Sequence, residues 1–134
     1  MAYFIASFKE YEKMENKDIF TEIVRVSNDL PDNLKSDHRI KDWAFLAPYN
    51  KLQNDYLKGY RSEPEIVDEY FRYLEKIWPS YGFIFGCHGQ NGQHVLMLCP
   101  EEDSERYNLR TMLKFFMKSR GYPLTNYYSG ASLN

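Results

Sequence analysis

Two short apolar runs constrain this chain most. Ala2–Ser7 reads AYFIAS and His94–Cys99 reads HVLMLC. Runs of this length and composition, bounded by turn residues, predict buried strands. The second is the stronger, and a helix follows it directly. Pro100–Ser104 is a turn, and Glu105–Arg120 carries an apolar stripe of Leu109, Met112, Leu113, Phe116 and Met117 before Gly121 and Pro123 close it. The same alternation runs through the middle of the chain. Ile19–Val26 is rich in β-branched and aromatic residues, its EIVRVS stretch (Glu22–Ser27) predicts a second strand, and Ser27–Asp37 a loop. Phe8–Lys17 predicts a short helix or turn. Pro48 opens a helix carrying Leu52 and Tyr56 that Gly59 stops. Glu63–Trp78 is the clearest helix. Ser62 and Glu65 have capping-box spacing, Pro64 suits the first turn, and Ile66, Val67, Tyr70, Phe71, Leu74, Ile77 and Trp78 share one face before Pro79 ends it. Tyr81–Phe85 reads as a strand or the start of a loop, and Gly86–Gln93 as a polar link. Alternating strands and helices predict a single-domain α/β sandwich with a small, mostly parallel sheet flanked by helices. The domain is expected over 1–124, with 125–134 as a C-terminal tail.

The length of 134 residues fits one domain. Such a chain buries most of its apolar surface without disulfide or metal staples. Seventeen basic and nineteen acidic residues leave a net charge of −2. That balance speaks against nucleic acid as a partner, because such binders carry a basic excess or a clustered basic face. No signal peptide is expected from the residues Met1–Phe8, and no window approaches a membrane span. With two cysteines, Cys87 and Cys99, the expected setting is a reducing cytoplasm. The unusual quantity is aromatic content. Twelve Tyr, nine Phe and two Trp make 17% of the chain.

The loop after HVLMLC is the first place to seek chemistry, because open α/β sheets bind ligands beyond the carboxyl ends of their strands. Arg106 and Arg110 lie four apart on the following helix, suited together to a phosphate or carboxylate. Glu101, Glu102, Asp103 and Glu105 oppose that field or pair with the two Arg. Ser7 ends the first strand at the same edge. Cys87, His88, His94 and Cys99 are metal-ligand types, but their spacing matches no structural zinc module, so no metal and no cofactor is expected. Cys87–His88, or Cys99 with either His, is a nucleophile–base combination by residue type. Gly86, Gly89 and Gly92 form neither a P-loop nor a dinucleotide fingerprint.

The first strand ending at Ser7, LAPYNKLQNDYLKG at Leu46–Gly59, an acidic amphipathic helix, and VLMLCPEED at Val95–Asp103 together resemble the domain of unknown function 488 family. The likeness runs in order from Tyr3 to Gly121. The family implies a small α/β protein with a Leu-Ala-Pro segment, a late strand reading Leu-Leu-Cys-x-Glu and a Cys-His-Arg triplet heading the next helix. Cys99 and Glu101 stand at family positions. Tyr107, Asn108 and Leu109 stand where the triplet belongs, and Arg110 lies one place later. Tyr and Asn supply no base near neutral pH. Whatever the family does, this chain is expected to do differently.

The expectation is therefore a non-catalytic binding protein on an enzyme-like fold. Ser7, Cys99, Glu101, Arg106, Asn108 and Arg110 would form a strand-end site for a small anionic, nucleotide-like ligand. Tyr49, Tyr60, Tyr107, Tyr127 and Tyr128 would present a contact surface to a protein partner. A phage or mobile-element inhibitor of a host defence protein fits that description. The alternative is an enzyme with a rearranged site. There Arg106, Asn108 and Arg110 would hold a phosphorylated or nucleoside substrate, and Cys99, Glu101 or His88 would do the proton or nucleophile work.

Overall fold

A computed structural model describes residues 2–88, 93–101 and 108–127. Five strands form one sheet in the order β3-β2-β4-β1-β5: β1 (Ala2–Ser7), β2 (Glu22–Arg25), β3 (Ile40–Asp42), β4 (His94–Cys99) and β5 (Leu124–Asn126). Every pairing is parallel, so the sheet is wholly rather than mostly parallel. β1 and β4 pair along their full length, Ala2 with His94 through Ser7 with Cys99. The two apolar runs are thus the two central strands. A central parallel strand is covered on both faces, which is why neither alternates polar with apolar.

Side chains nevertheless divide by the period of two. Tyr3, Ile5, Val24, Val95, Met97 and Cys99 enter the larger core with helices α2 (Asn50–Lys58), α3 (Glu63–Tyr81) and α5 (Leu109–Ser119). Phe4, Ala6, Ile23, Leu96 and Leu98 enter a smaller core with Phe8 and Tyr11 of α1 (Phe8–Glu12) and Leu34 of a 3₁₀ turn. The large core is aromatic. Phe116 meets Phe71 and Trp78 edge-on, and Trp78 stacks on Phe85 of the short helix α4 (Phe83–His88), at ring separations of 5.5–5.7 Å. Among the described residues no helix is long and apolar enough to cross a membrane.

Several expectations shift. Pro79 lies inside α3, which continues to Tyr81. A late proline removes only one backbone bond, and the Gly82 N–H still donates to the Trp78 carbonyl at 2.7 Å. Tyr81–Phe85 is helical, split by Gly82. α5 begins at Leu109, because Asn108 caps it there. Ser62 stands at the N-cap of α3 without a side-chain cap, so the Ser62–Glu65 box does not form. The boundary expected at residue 124 falls within β5, and Tyr127 is buried beyond it. The domain therefore runs at least to Tyr127. The local cause is pairing: β5 adds to the free edge of β1, and the Tyr127 N–H donates to the Ile5 carbonyl at 3.0 Å.

The smaller core is pinned at its rim by Asp37. The buried Tyr11 hydroxyl donates to one Asp37 oxygen at 2.6 Å, and the Arg39 guanidinium contacts both at 3.0 and 3.1 Å. The hydrogen bond from Arg39 holds the Asp37 carboxyl at about 2 against an ordinary 3.8, with Tyr11 adding to the effect. A value depressed in the folded state stabilises the fold above 3.8 and ceases to do so as pH falls through about 2. Asp37→Asn should lower thermal stability at neutral pH, and its difference from the parent should shrink between those two values. A difference that persists unchanged at the acid end, in melts followed by circular dichroism, would exclude an ionic role.

Candidate functional site

The strand order places a topological switch between β1 and β4. The chain leaving β1 enters α1 on the small-core face and returns at β2, beyond β4. The chain leaving β4 enters α5 on the large-core face and returns at β5, beyond β1. Adjacent strands whose exits part in this way leave a crevice at their carboxyl ends, the usual ligand site of open α/β sheets. Ser7 and Cys99 end the two strands at its floor, and Glu101 follows two residues after Cys99.

What fills the crevice is Arg110. It projects from the first turn of α5, and its side chain has no exposed surface. Nη1 donates to Glu10 Oε1 at 2.9 Å and to the Glu101 carbonyl at 3.0 Å. Nη2 donates to Asn126 Oδ1 at 3.0 Å and reaches the Ile5 carbonyl at 3.5 Å. One guanidinium thus joins β1, α1, the exit of β4 and β5. Glu10 is itself held. It is the third helical residue of α1 and closes a capping box with Ser7, accepting from the Ser7 N–H at 2.8 Å while Ser7 Oγ accepts from the Glu10 N–H at 3.0 Å. Ser7 is therefore a buried helix cap.

Asn108 has a similar role at α5. Its side-chain oxygen accepts from the Thr111 N–H at 2.9 Å, and its own N–H donates to Thr111 Oγ1 at 2.7 Å. Leu109, the first residue of α5, is buried. Arg106 and Tyr107 lie outside the described residues, as does Tyr128.

Cys99 sits on the floor of the crevice, 3% exposed. Its Sγ donates to the Glu101 carbonyl at 3.4 Å and approaches the Ala6 carbonyl at 3.7 Å. Burial pushes the thiol well above its ordinary range, the Glu101 carboxyl pushes it further, and Arg110 only partly offsets both. A nucleophilic cysteine needs the reverse, an electropositive setting that favours thiolate. Burial also raises the Glu101 carboxyl, against a smaller lowering by its own N–H and by Arg110. His94 begins the strand that Cys99 ends, roughly 16 Å away at the strand rise. The two cannot share a proton or a metal. No group of three or more His, Cys, Asp or Glu among the described residues can hold a metal ion. The cavity left between Val26, Tyr70, Cys99 and Arg110 has about 20 Å³, room for one water.

The tyrosines divide. Tyr49 and Tyr60 are exposed, at 38% and 71%. Tyr127, expected at the surface, is buried at 7%, edge-on to Phe4 and Phe20 in the smaller core. β5 draws it inward by continuing the sheet. Tyr3 and Tyr11, which no periodic stripe claimed, are also core. Glu10 and Asn126, the side-chain partners of Arg110, were not singled out from the sequence. The Ser-x-x-Glu spacing at Ser7–Glu10 is the signal for the first, and Asn126 has none.

Arg110→Met should destabilise the protein by about 3 kcal/mol in urea unfolding, because it leaves the Glu10 carboxylate without its buried counter-ion. A guanidinium placed to hold a ligand would leave the unliganded stability almost unchanged. In a Cys87→Ser background, Cys99 should resist iodoacetamide in the folded protein and react on unfolding; rapid labelling of the native state would contradict its burial. No protein-family model, no curated protein and no solved structure matches the chain.

Proposed function

We propose that this chain is a non-catalytic binding protein that recognises a protein partner through exposed aromatic side chains. The observation that carries the reading is a band of rings on the flank formed by α2, α3 and the segment before α2. Tyr49 lies 5.6 Å from Tyr73. The Tyr73 hydroxyl donates to the Phe45 carbonyl at 3.0 Å, and the Phe45 ring stacks on Tyr81 at 4.6 Å. Tyr49 and Tyr81 are about two-fifths exposed, while Trp43 behind Phe45 is buried. Beneath the outer rings the band is already ordered. The Tyr49 hydroxyl donates to Glu69, which Arg61 also holds at 2.8 Å. Rings fixed in this way lose little entropy on binding, and their hydroxyls keep water-compatible polarity. Tyr and Trp are the residues that concentrate binding energy at interfaces.

The crevice supports the non-catalytic half of the reading. Its thiol is held protonated, its arginine is engaged by the fold, and its cavity takes one water. A host protein, blocked by a phage or mobile element, is the kind of partner proposed. The alternative is a nucleotide-like ligand, or a rearranged enzyme acting on a phosphorylated substrate. It rests on the crevice standing at the switch point.

Affinity capture with the parent and with a Tyr49→Ala, Tyr81→Ala variant separates these. A partner retained by the parent and lost by the folded variant supports the reading. Equal capture by both, or none by either, rejects it. A thermal shift with nucleotides or phosphorylated compounds would instead favour the crevice.

A further inference from the structure

A second surface lies away from that aromatic band. α3 and α5 run side by side in the same direction. Phe71 meets Phe115 and Phe116 at 6.2 and 5.7 Å, and further along Arg120 reaches Glu75 at 3.7 Å. Between them opens an apolar groove of about 250 Å³, lined by Pro64, Val67, Asp68, Phe71, Met112 and Phe115. Phe115 stands at its rim, 57% exposed on the outer side of an otherwise well-buried helix stripe. A large exposed ring beside an open apolar groove marks an interaction surface.

The charges on either side indicate what covers it. Where it faces the groove, α3 carries Asp68 and Glu75 against Arg72, which pairs with Asp68 at 3.0 Å, while Glu65 and Glu69 turn to Arg61 on the other flank. α5 carries Arg110, Lys114 and Lys118 and no acid, and of these Arg110 is buried. One bank of the groove is acidic and the other basic. A two-fold axis along the groove would lay α3 of one molecule over α5 of another, acid against base. An axis across it would lay acid on acid. An isologous contact uses the same patch twice, so a face that is self-complementary about one axis is suited to a copy of itself.

We propose that the α3–α5 face binds a second copy of this chain about an axis parallel to the groove. In that arrangement the two Phe115 rings meet near the axis, each over the other's groove. Lys118 comes within side-chain reach of Glu75 of the other molecule, because the Phe71 contacts set residue 118 of α5 beside residues 73 and 74 of α3. This surface is separate from the Tyr49–Tyr81 band, so either proposal can fail alone.

Sedimentation velocity on the full chain over a wide concentration range tests it. The parent should pass from a species of 16.0 kDa to one of twice that mass. Phe115→Asp should weaken association at least tenfold without altering the far-ultraviolet circular dichroism. Glu75→Lys and Lys118→Glu should each weaken it several-fold, and the two together should restore it. The reversals lie on exposed positions and keep the test open should Phe115→Asp misfold. A parent that stays monomeric, a folded Phe115→Asp that still dimerises, or a double reversal as weak as the singles would each overturn the proposal.

Discussion

The ion pair between Arg110 and Glu10 is the constraint on which the rest of this fold turns. A buried guanidinium is tolerated only when its charge and its donors are matched. Here the matching groups come from four separate elements. Glu10 lies 100 residues from Arg110 in sequence, and Asn126 and the carbonyls of Ile5 and Glu101 also accept from its two terminal nitrogens. None of these contacts exists until β1, β4 and β5 are paired and α1 and α5 lie on opposite faces. The pair therefore reports on the whole topology. Through the Ser7–Glu10 box it also sets where α1 begins.

That arrangement has a consequence for function. The switch-point crevice of a parallel sheet is where such folds ordinarily take a ligand. Among the described residues the crevice is filled by the protein's own side chains. Of the two cations expected to meet an anion, Arg110 already meets Glu10, and the thiol that would act as nucleophile is buried beside Glu101. The proposed recognition surfaces lie instead on the outside of the helical layer. The two available surfaces differ in kind. The Tyr49–Tyr81 band offers rings with hydroxyls and ordered polar neighbours, suited to a wet interface with a different protein. The α3–α5 groove offers an apolar floor between banks of opposite charge, suited to its own image.

Much of the fold was legible in residue order. Continuous apolar runs without alternation identified the central strands, and three- and four-residue spacing identified α3 and α5. Two Ser-x-x-Glu spacings stand in the sequence; the one read as a capping box, Ser62–Glu65, does not form, and the one passed over, Ser7–Glu10, does. The difference lies in what surrounds the acid. Glu10 also receives Arg110, which holds it over the end of β1. Glu65 is exposed and lies 3.7 Å from Arg61. The tyrosines were the least legible, because a ring with a hydroxyl suits either side of the surface. Tyr3, Tyr11 and Tyr70 are core because each hydroxyl finds a partner there: the Phe85 carbonyl, Asp37 and the Leu46 carbonyl. β5 escaped notice for a related reason. Three residues of modest apolarity form a strand only when an edge is waiting for them.

The sequence by itself determined the α/β class, the two central strands and the main helices, since each is encoded by a local pattern of apolar spacing and turn residues. Only the tertiary structure decided what Arg110, Cys99 and the tyrosines do. Their roles depend on burial and on partners far away in the chain, and neither desolvation nor a long-range ion pair leaves a periodic trace in the residue order.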